Sequence, residues 1–285
     1  MTSGPPPLLR PGDLVTVVSP AGPCPPDLLD AGVARLREWG LDVRVDAHAL
    51  DTHPALGYLA GHDADRARAV ERAWLDPATA GVLCARGGYG SLRMVDLVDW
   101  TALARHRKVF VGSSDTTVLH ERFQAHGLAT WFGPMVGTRA FVEDAEARER
   151  LRAALFGGVT SYRGVGMAPG VARGTAVGGT LSLLDAPPPP GAIVLLEDVD
   201  EDPYRLDRML TGLLRAGWFD RVAGLVLGSW TRCGDPTAVL ADRLGGLGVP
   251  IVADARFGHC EGQLTVPLGV PVRIDGGTGE VTVDA

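Results

Sequence analysis

The sequence lacks most of the features that would mark it as a binder of nucleic acid or membrane. It has 285 residues and a single lysine, Lys108; the other 26 of its 27 basic residues are arginine, and the net charge is −7. No cluster of basic residues stands out, so nucleic acid is not an expected partner. No apolar run approaches the roughly 18 residues that a membrane helix requires. The Pro-rich start, residues 1–10, has no apolar signal core. Those two features lead to the expectation of a cytoplasmic protein with no membrane partner. Cysteine is scarce: Cys24, Cys84, Cys233 and Cys260 are scattered without C-x-x-C spacing. Neither a zinc site nor a disulfide framework is expected, and no metal or cofactor is assigned. Aromatic residues make up only 6%, yet hydrophobic residues reach 46%, enough for a substantial core.

What is present first is a strand–helix rhythm. Leu14–Val18 is a β-branched run ended by Ser19-Pro20, and reads as a buried strand. Residues 27–39 read as a helix stopped by Gly40, and 41–45 as a second strand. A charged helix over 63–75 follows, then strands over 81–85 and 108–111 and a helix over 116–125. This βαβ order predicts a doubly wound, mostly parallel sheet with helices on both faces. A helix over 142–155 closes that half. Residues 157–179 are glycine-rich and read as linker and short strands. The run Pro187–Pro190 predicts an extended loop. Strands over 193–196 and 222–227, helices over 203–215 and 236–244, and short strands from residue 251 suggest a smaller, β-rich second unit. The division is placed at 1–158 and 159–285.

Four segments carry candidate chemistry. Val109–Val111 leads into Gly112-Ser113-Ser114-Asp115 and then a helix, so a serine stands at a sharp strand-to-helix turn. Free N–H groups at such a helix start favour negative charge. The same segment also fits an ordinary N-cap made by Ser113, Ser114 or Asp115. Arg86-Gly87-Gly88-Tyr89-Gly90 follows a buried strand. Its glycines allow close backbone approach to a ligand, or simply a tight turn. No Walker lysine follows, and the dinucleotide pattern fails at its last position. Leu196-Glu197-Asp198 puts acids at the carboxyl end of a strand, where α/β folds place their sites. His259 sits in a Gly-flanked loop. Together these supply a serine, an acid, a histidine and a donor loop, the requirements for acyl transfer by an activated serine.

The ordered set of motifs is similar to the LD-carboxypeptidases (muramoyltetrapeptide carboxypeptidases), a family that includes the microcin C immunity peptidases. The matching segments are Val18-Ser19-Pro20, Ala60-Gly61 with Asp63 and Arg66, Ala85-Arg86-Gly87-Gly88-Tyr89-Gly90, Gly112-Ser113-Ser114-Asp115, Gly133-Pro134-Met135, Leu196-Glu197-Asp198, Pro203-Tyr204-Arg205, Gly258-His259 and Val266-Pro267-Leu268-Gly269. The resemblance implies Ser114 as nucleophile, Glu197 as the residue orienting His259, and His259 as general base. It implies an oxyanion hole from the backbone N–H groups of Gly88 and Asp115, a site between two domains, no metal and a homodimer. Arg86 and Thr180 are the expected substrate contacts. Thr180 stands where the family usually has Asn, and the segment from there to Glu197 is short. Three readings follow: a carboxypeptidase acting on muropeptide tetrapeptides in peptidoglycan recycling, a self-immunity amidase acting on a toxic peptide–nucleotide conjugate, and a non-catalytic peptide binder.

Overall fold

A computed structural model describes residues 4–284. Residues 1–3 of the Pro-rich start, and the last residue of the second unit, lie outside the described part. The first sheet has the strands β1 (Leu14–Val18), β2 (Asp42–Val45), β3 (Thr79–Cys84), β4 (Val109–Gly112) and β5 (Thr130–Phe132), in the order β2-β1-β3-β4-β5 and all parallel. Alternation along each strand sends side chains to two cores. Val15, Val17, Val109 and Val111 pack with the helices Pro26–Glu38 and Ala145–Gly157. Val18, Val82, Cys84 and Phe110 pack with Asp63–Leu75 and Thr117–Ala125 on the other face. The sheet is therefore doubly wound, as its sequence rhythm indicated.

The second sheet holds β6 (Ser161–Arg163), β7 (Val165–Ala168), β8 (Val171–Thr180), β9 (Ile193–Val199), β10 (Gly224–Thr231), β11 (Ile251–Ala253), β13 (Pro271–Asp275) and β14 (Glu280–Val283). Its centre, β8-β9-β10-β11, is parallel, and its flanks are antiparallel. The short strand β12 (Val266–Leu268) leaves this unit and pairs antiparallel with β5 in the first sheet. A shared core of Phe132, Ile193, Leu195, Phe257, Val266 and Leu268 lies along that junction. The helices Pro203–Arg215 and Thr237–Leu244 cover the outer face. Among the described residues no helix is long and apolar enough to cross a membrane.

Two of the elements that differ from the sequence reading frame the site. The glycine-rich stretch read as linker contains the ten-residue strand β8, whose first half pairs with β13 and second half with β9. The helix read over 142–155 starts instead at Ala145, because the Asp144 side chain accepts the Ala147 N–H and caps it.

Candidate active site

In an open parallel sheet, ligands bind outside the carboxyl ends of the strands where the strand order reverses. Here the reversal falls between β1 and β3. Their ends run into Ser19-Pro20 and Arg86-Gly87-Gly88, and β4 ends beside them at Ser113-Ser114. The two turns are stapled together. Gly22 N–H donates to the Gly87 carbonyl at 3.0 Å. Arg66, 1% exposed, donates to the carbonyls of Pro20 (2.5 Å) and Gly90 (2.8 Å). Gly87 packs so closely on Ser114 that a Cβ there would lie 2.9 Å from the serine Cβ.

Ser114 is half-buried and has φ +56°, the left-handed region that L-residues enter at a cost of about 1–2 kcal/mol. Ser113 is extended and buried. The geometry thus separates two serines that local sequence leaves equivalent: the strained one leads the turn into the helix Thr117–Ala125. Asp115, also buried, accepts the Ser91 N–H at 2.7 Å. Burial pushes its carboxyl above the usual range, opposed by hydrogen bonds from Ser91 and Gly90 and by the charge of Arg66. Gly88 has φ +105° and is exposed; its N–H has no acceptor among the described residues.

The other half of the site comes from the second sheet. Glu197, on β9, is fully buried. Its Oε2 accepts His259 Nδ1–H at 2.8 Å and the His259 backbone N–H at 3.1 Å. That close approach needs Gly258, at φ +93°, where a Cβ would lie 2.3 Å from Oε2. Burial disfavours the charged imidazolium, but the hydrogen bond and charge of Glu197, with Asp198 behind it, raise the pKa of His259 above its ordinary value. Asp198 is itself pushed up to about 6, mainly by burial. The His259 ring borders a cleft of about 720 Å³ lined by Arg139, Glu146, Arg232 and Gln263. Neither Ser114 Oγ nor His259 Nε2 has a hydrogen-bond partner among the described residues; no direct bond joins the two groups, and Ser114 is not among the residues lining the cleft that His259 borders. Catalytic hydrogen bonds of unliganded enzymes are often long and tighten when substrate binds.

Of the expected substrate contacts, Arg86 is exposed and donates to the Pro23 carbonyl at 3.0 Å. Thr180 is 2% exposed, and its hydroxyl turns away from open space to donate to Glu197 Oε1 at 2.5 Å. Arg93, near Arg86 in the chain, is held by Asp63 through Nε and one terminal nitrogen. The sequence reading gave no role to Thr117. Its hydroxyl donates to the Ser114 carbonyl at 2.8 Å and accepts the Thr180 N–H at 3.1 Å. Its place one turn after the serine is the only local signal for it.

Similarity to known proteins follows the same two-part division. Residues 15–133 match the LD-carboxypeptidase N-terminal domain and residues 173–274 the LD-carboxypeptidase C-terminal domain. A Streptomyces coelicolor protein provisionally named a carboxypeptidase is 52% identical over 294 residues, spanning 97% of this chain and 94% of its own length. The murein tetrapeptide carboxypeptidase of Pseudomonas aeruginosa is 30% identical over 274 residues, spanning 89% of this chain and 85% of its own. The structure of the microcin C7 self immunity protein MccF superposes with a TM-score of 0.87 at 21% identity, over 99% of this chain and 98% of that one, and so shares the fold. Both domains match in order, together over more than three quarters of the chain, and the chain belongs to the LD-carboxypeptidase family.

Proposed function

We propose that the protein is a serine carboxypeptidase that hydrolyses the L,D-amide before the terminal D-alanine of muropeptide tetrapeptides, in the cytoplasm, as part of peptidoglycan recycling. The observation that carries this reading is the buried Glu197 holding His259 Nδ1–H at 2.8 Å, with Nε2 unpartnered among the described residues. A serine hydroxyl is a poor nucleophile at neutral pH and needs such a base. In this scheme His259 Nε2 takes the proton of Ser114 Oγ as the oxygen attacks the amide carbonyl. Glu197 fixes the tautomer and stabilises the imidazolium. The N–H groups of Gly88 and Asp115 receive the oxyanion, each worth roughly 10²–10³ in rate. His259 then gives its proton to the departing D-alanine amine, and water releases the acyl group from Ser114 by the same steps. Arg86, exposed beside the glycine turn, is offered to a substrate carboxylate. No cofactor enters the scheme. The murein tetrapeptide activity named for the Pseudomonas aeruginosa relative supports the substrate class. A homodimer accompanies this reading, to be checked by sedimentation equilibrium.

Mass spectrometry of L-Ala-γ-D-Glu-meso-diaminopimelate-D-Ala, incubated with wild type and with Ser114→Ala, tests the proposal. Loss of one alanine with wild type alone is the expected result. An intact tetrapeptide with folded wild type would refute it and redirect the reading to self-immunity cleavage of aminoacyl-nucleotide conjugates. A serine-reactive probe that leaves Ser114 unlabelled while the peptide still binds would favour a binding protein.

A further inference from the structure

Behind the Glu197–His259 pair lies a set of hydroxyls that the reaction scheme does not use. Thr180 ends β8, and Glu197 is its register partner on the parallel strand β9. Neighbours in register present their side chains to the same face of the sheet. The Thr180 hydroxyl therefore meets Glu197 Oε1, while Oε2 is taken by the two His259 donors. The backbone N–H of the same threonine donates to Thr117 Oγ1, and Thr117 in turn donates to the Ser114 carbonyl. A continuous hydrogen-bonded path thus runs from the backbone of Ser114, in the first unit, through Thr117, Thr180 and Glu197 to His259, in the second.

Two glycines make the path possible. At Gly179, φ +148°, a Cβ would lie 2.6 Å from Thr117 Oγ1; at Gly178, φ +110°, it would lie 2.2 Å from the Leu195 carbonyl oxygen. Both positions have backbone angles that L-residues rarely adopt. Any side chain there would separate β8 from the helix start or from β9. The end of β8 is thereby pressed against both halves of the site.

We propose that Thr180 is a positioning residue: its hydroxyl holds the Glu197 carboxylate in the orientation that His259 needs, and its N–H, through Thr117, keeps the Ser114 turn in register with that pair. The inference rests on the reading of Ser114, Glu197 and His259 as the reacting set. Without that donor the Glu197 carboxylate can turn away from His259, whose raised pKa depends on it. The charged and titratable groups facing His259 are Glu197 and Asp198 from β9, Asp200 and Arg232 at the rim, Cys260 and Glu261 beside it, and Arg139, Glu143, Asp144 and Glu146 across the cleft. Of these, Glu197 alone bonds to Thr180; Asp198 is satisfied by Ser182 and the Val199 N–H.

The test compares Thr180→Val, Thr180→Ser and Thr117→Val by two readouts. One is NMR titration of the His259 ring, assigned by its loss in His259→Gln. The other is kcat and KM for D-alanine release from the tetrapeptide. Thr180→Val is expected to move the His259 titration to lower pH, toward its ordinary value, and to lower kcat by about 10–100-fold, with KM within about threefold. Thr180→Ser restores both to near wild type. Thr117→Val leaves the titration in place and lowers kcat by a smaller factor. A Thr180→Val protein that titrates as wild type with kcat within about twofold overturns the proposal, as does a Thr180→Ser protein as impaired as the valine. If the valine variant does not fold, Thr180→Ala supplies the same comparison. Wild type that releases no D-alanine refutes the assigned reaction, while the NMR titration still decides the role of Thr180.

Discussion

Replacing Glu197 by Gln removes one charge and leaves the shape almost unchanged. The amide oxygen still accepts from His259 Nδ1–H and N–H on the Oε2 side, and the amide nitrogen faces Thr180, whose hydroxyl rotates to accept. The tautomer of His259 is therefore kept, unlike a substitution that turns a donor toward Nδ1. What is lost is the charge. A hydrogen bond to an ionised partner contributes about 1 kcal/mol more than a neutral one. The Coulomb attraction of the carboxylate for a forming imidazolium at about 4 Å adds up to about 4 kcal/mol at an effective dielectric constant near 20. Since these overlap, a barrier increase of about 2–4 kcal/mol follows, or a fall in kcat of roughly 30-fold to 10³-fold. The same loss acts on the free enzyme. Glu197 raises the His259 pKa in the folded protein, and if His259 is the base it must be neutral to act, so wild-type kcat/KM is expected to rise with pH through a value higher than that of an unperturbed imidazole. In Glu197→Gln this limb moves to lower pH. Both are measured by D-alanine release over a pH series, on protein whose thermal melting shows it folded. A kcat within about threefold of wild type, with an unmoved acidic limb, would refute the assignment of Glu197 and shift attention to another carboxylate such as Glu201.

Three further outcomes follow from particular contacts. Ser114→Gly and Ser114→Ala both abolish hydrolysis, but the glycine variant is the more stable by about 1 kcal/mol in urea unfolding, because it relieves the left-handed φ of +56°. Gly258→Ala drives Glu197 away from His259, since the new Cβ would stand 2.3 Å from Oε2; kcat falls by at least about 10²-fold and the His259 titration drops toward its ordinary value by NMR. Glu121 is largely buried beside Asp185, and burial, reinforced by that charge, pushes its carboxyl up to about 7. A carboxyl raised on folding destabilises once ionised. The penalty is absent below the unfolded value of about 4.3 and complete above about 7, so Glu121→Gln stabilises by on the order of 1–3 kcal/mol in mildly alkaline buffer and by almost nothing in acid.

The elements most legible in the sequence are those whose local pattern agrees with their surroundings. β1 occupies Leu14–Val18, as its β-branched run ended by Ser-Pro indicates, and the charged helix occupies Asp63–Leu75. β8 is the instructive failure. Its glycines at 174, 178 and 179 look like breakers, because glycine carries no side chain to pack and is entropically costly in a strand. The structure uses them for proximity instead: a Cβ at Gly174 would lie 2.0 Å from the Gly191 carbonyl oxygen, and those at 178 and 179 would meet β9 and Thr117. That requirement comes from chain segments distant in sequence, so no local window contains it. The same holds for β12, whose three residues pair with β5 across more than a hundred positions.

The site divides along the same line. Ser114 announces itself by standing between an apolar strand and a helix, and Glu197 by ending a buried run. Both signals are local and need no partner to be noticed. His259 has only a neighbouring glycine to recommend it, and that glycine becomes meaningful once Glu197 is known to press against its Cα. Thr180 is the extreme case. Nothing around it suggests a polar task, and the resemblance alone makes it an expected substrate contact. Its hydroxyl reaches Glu197 because β8 and β9 are in register, and its N–H reaches Thr117 because two glycines let the strand end approach. Where the linker reading removes β8, it also removes the register that pairs Thr180 with Glu197. Candidates for the reacting residues show in their local chemistry, whereas candidates for holding them show only after the pairing of strands is known.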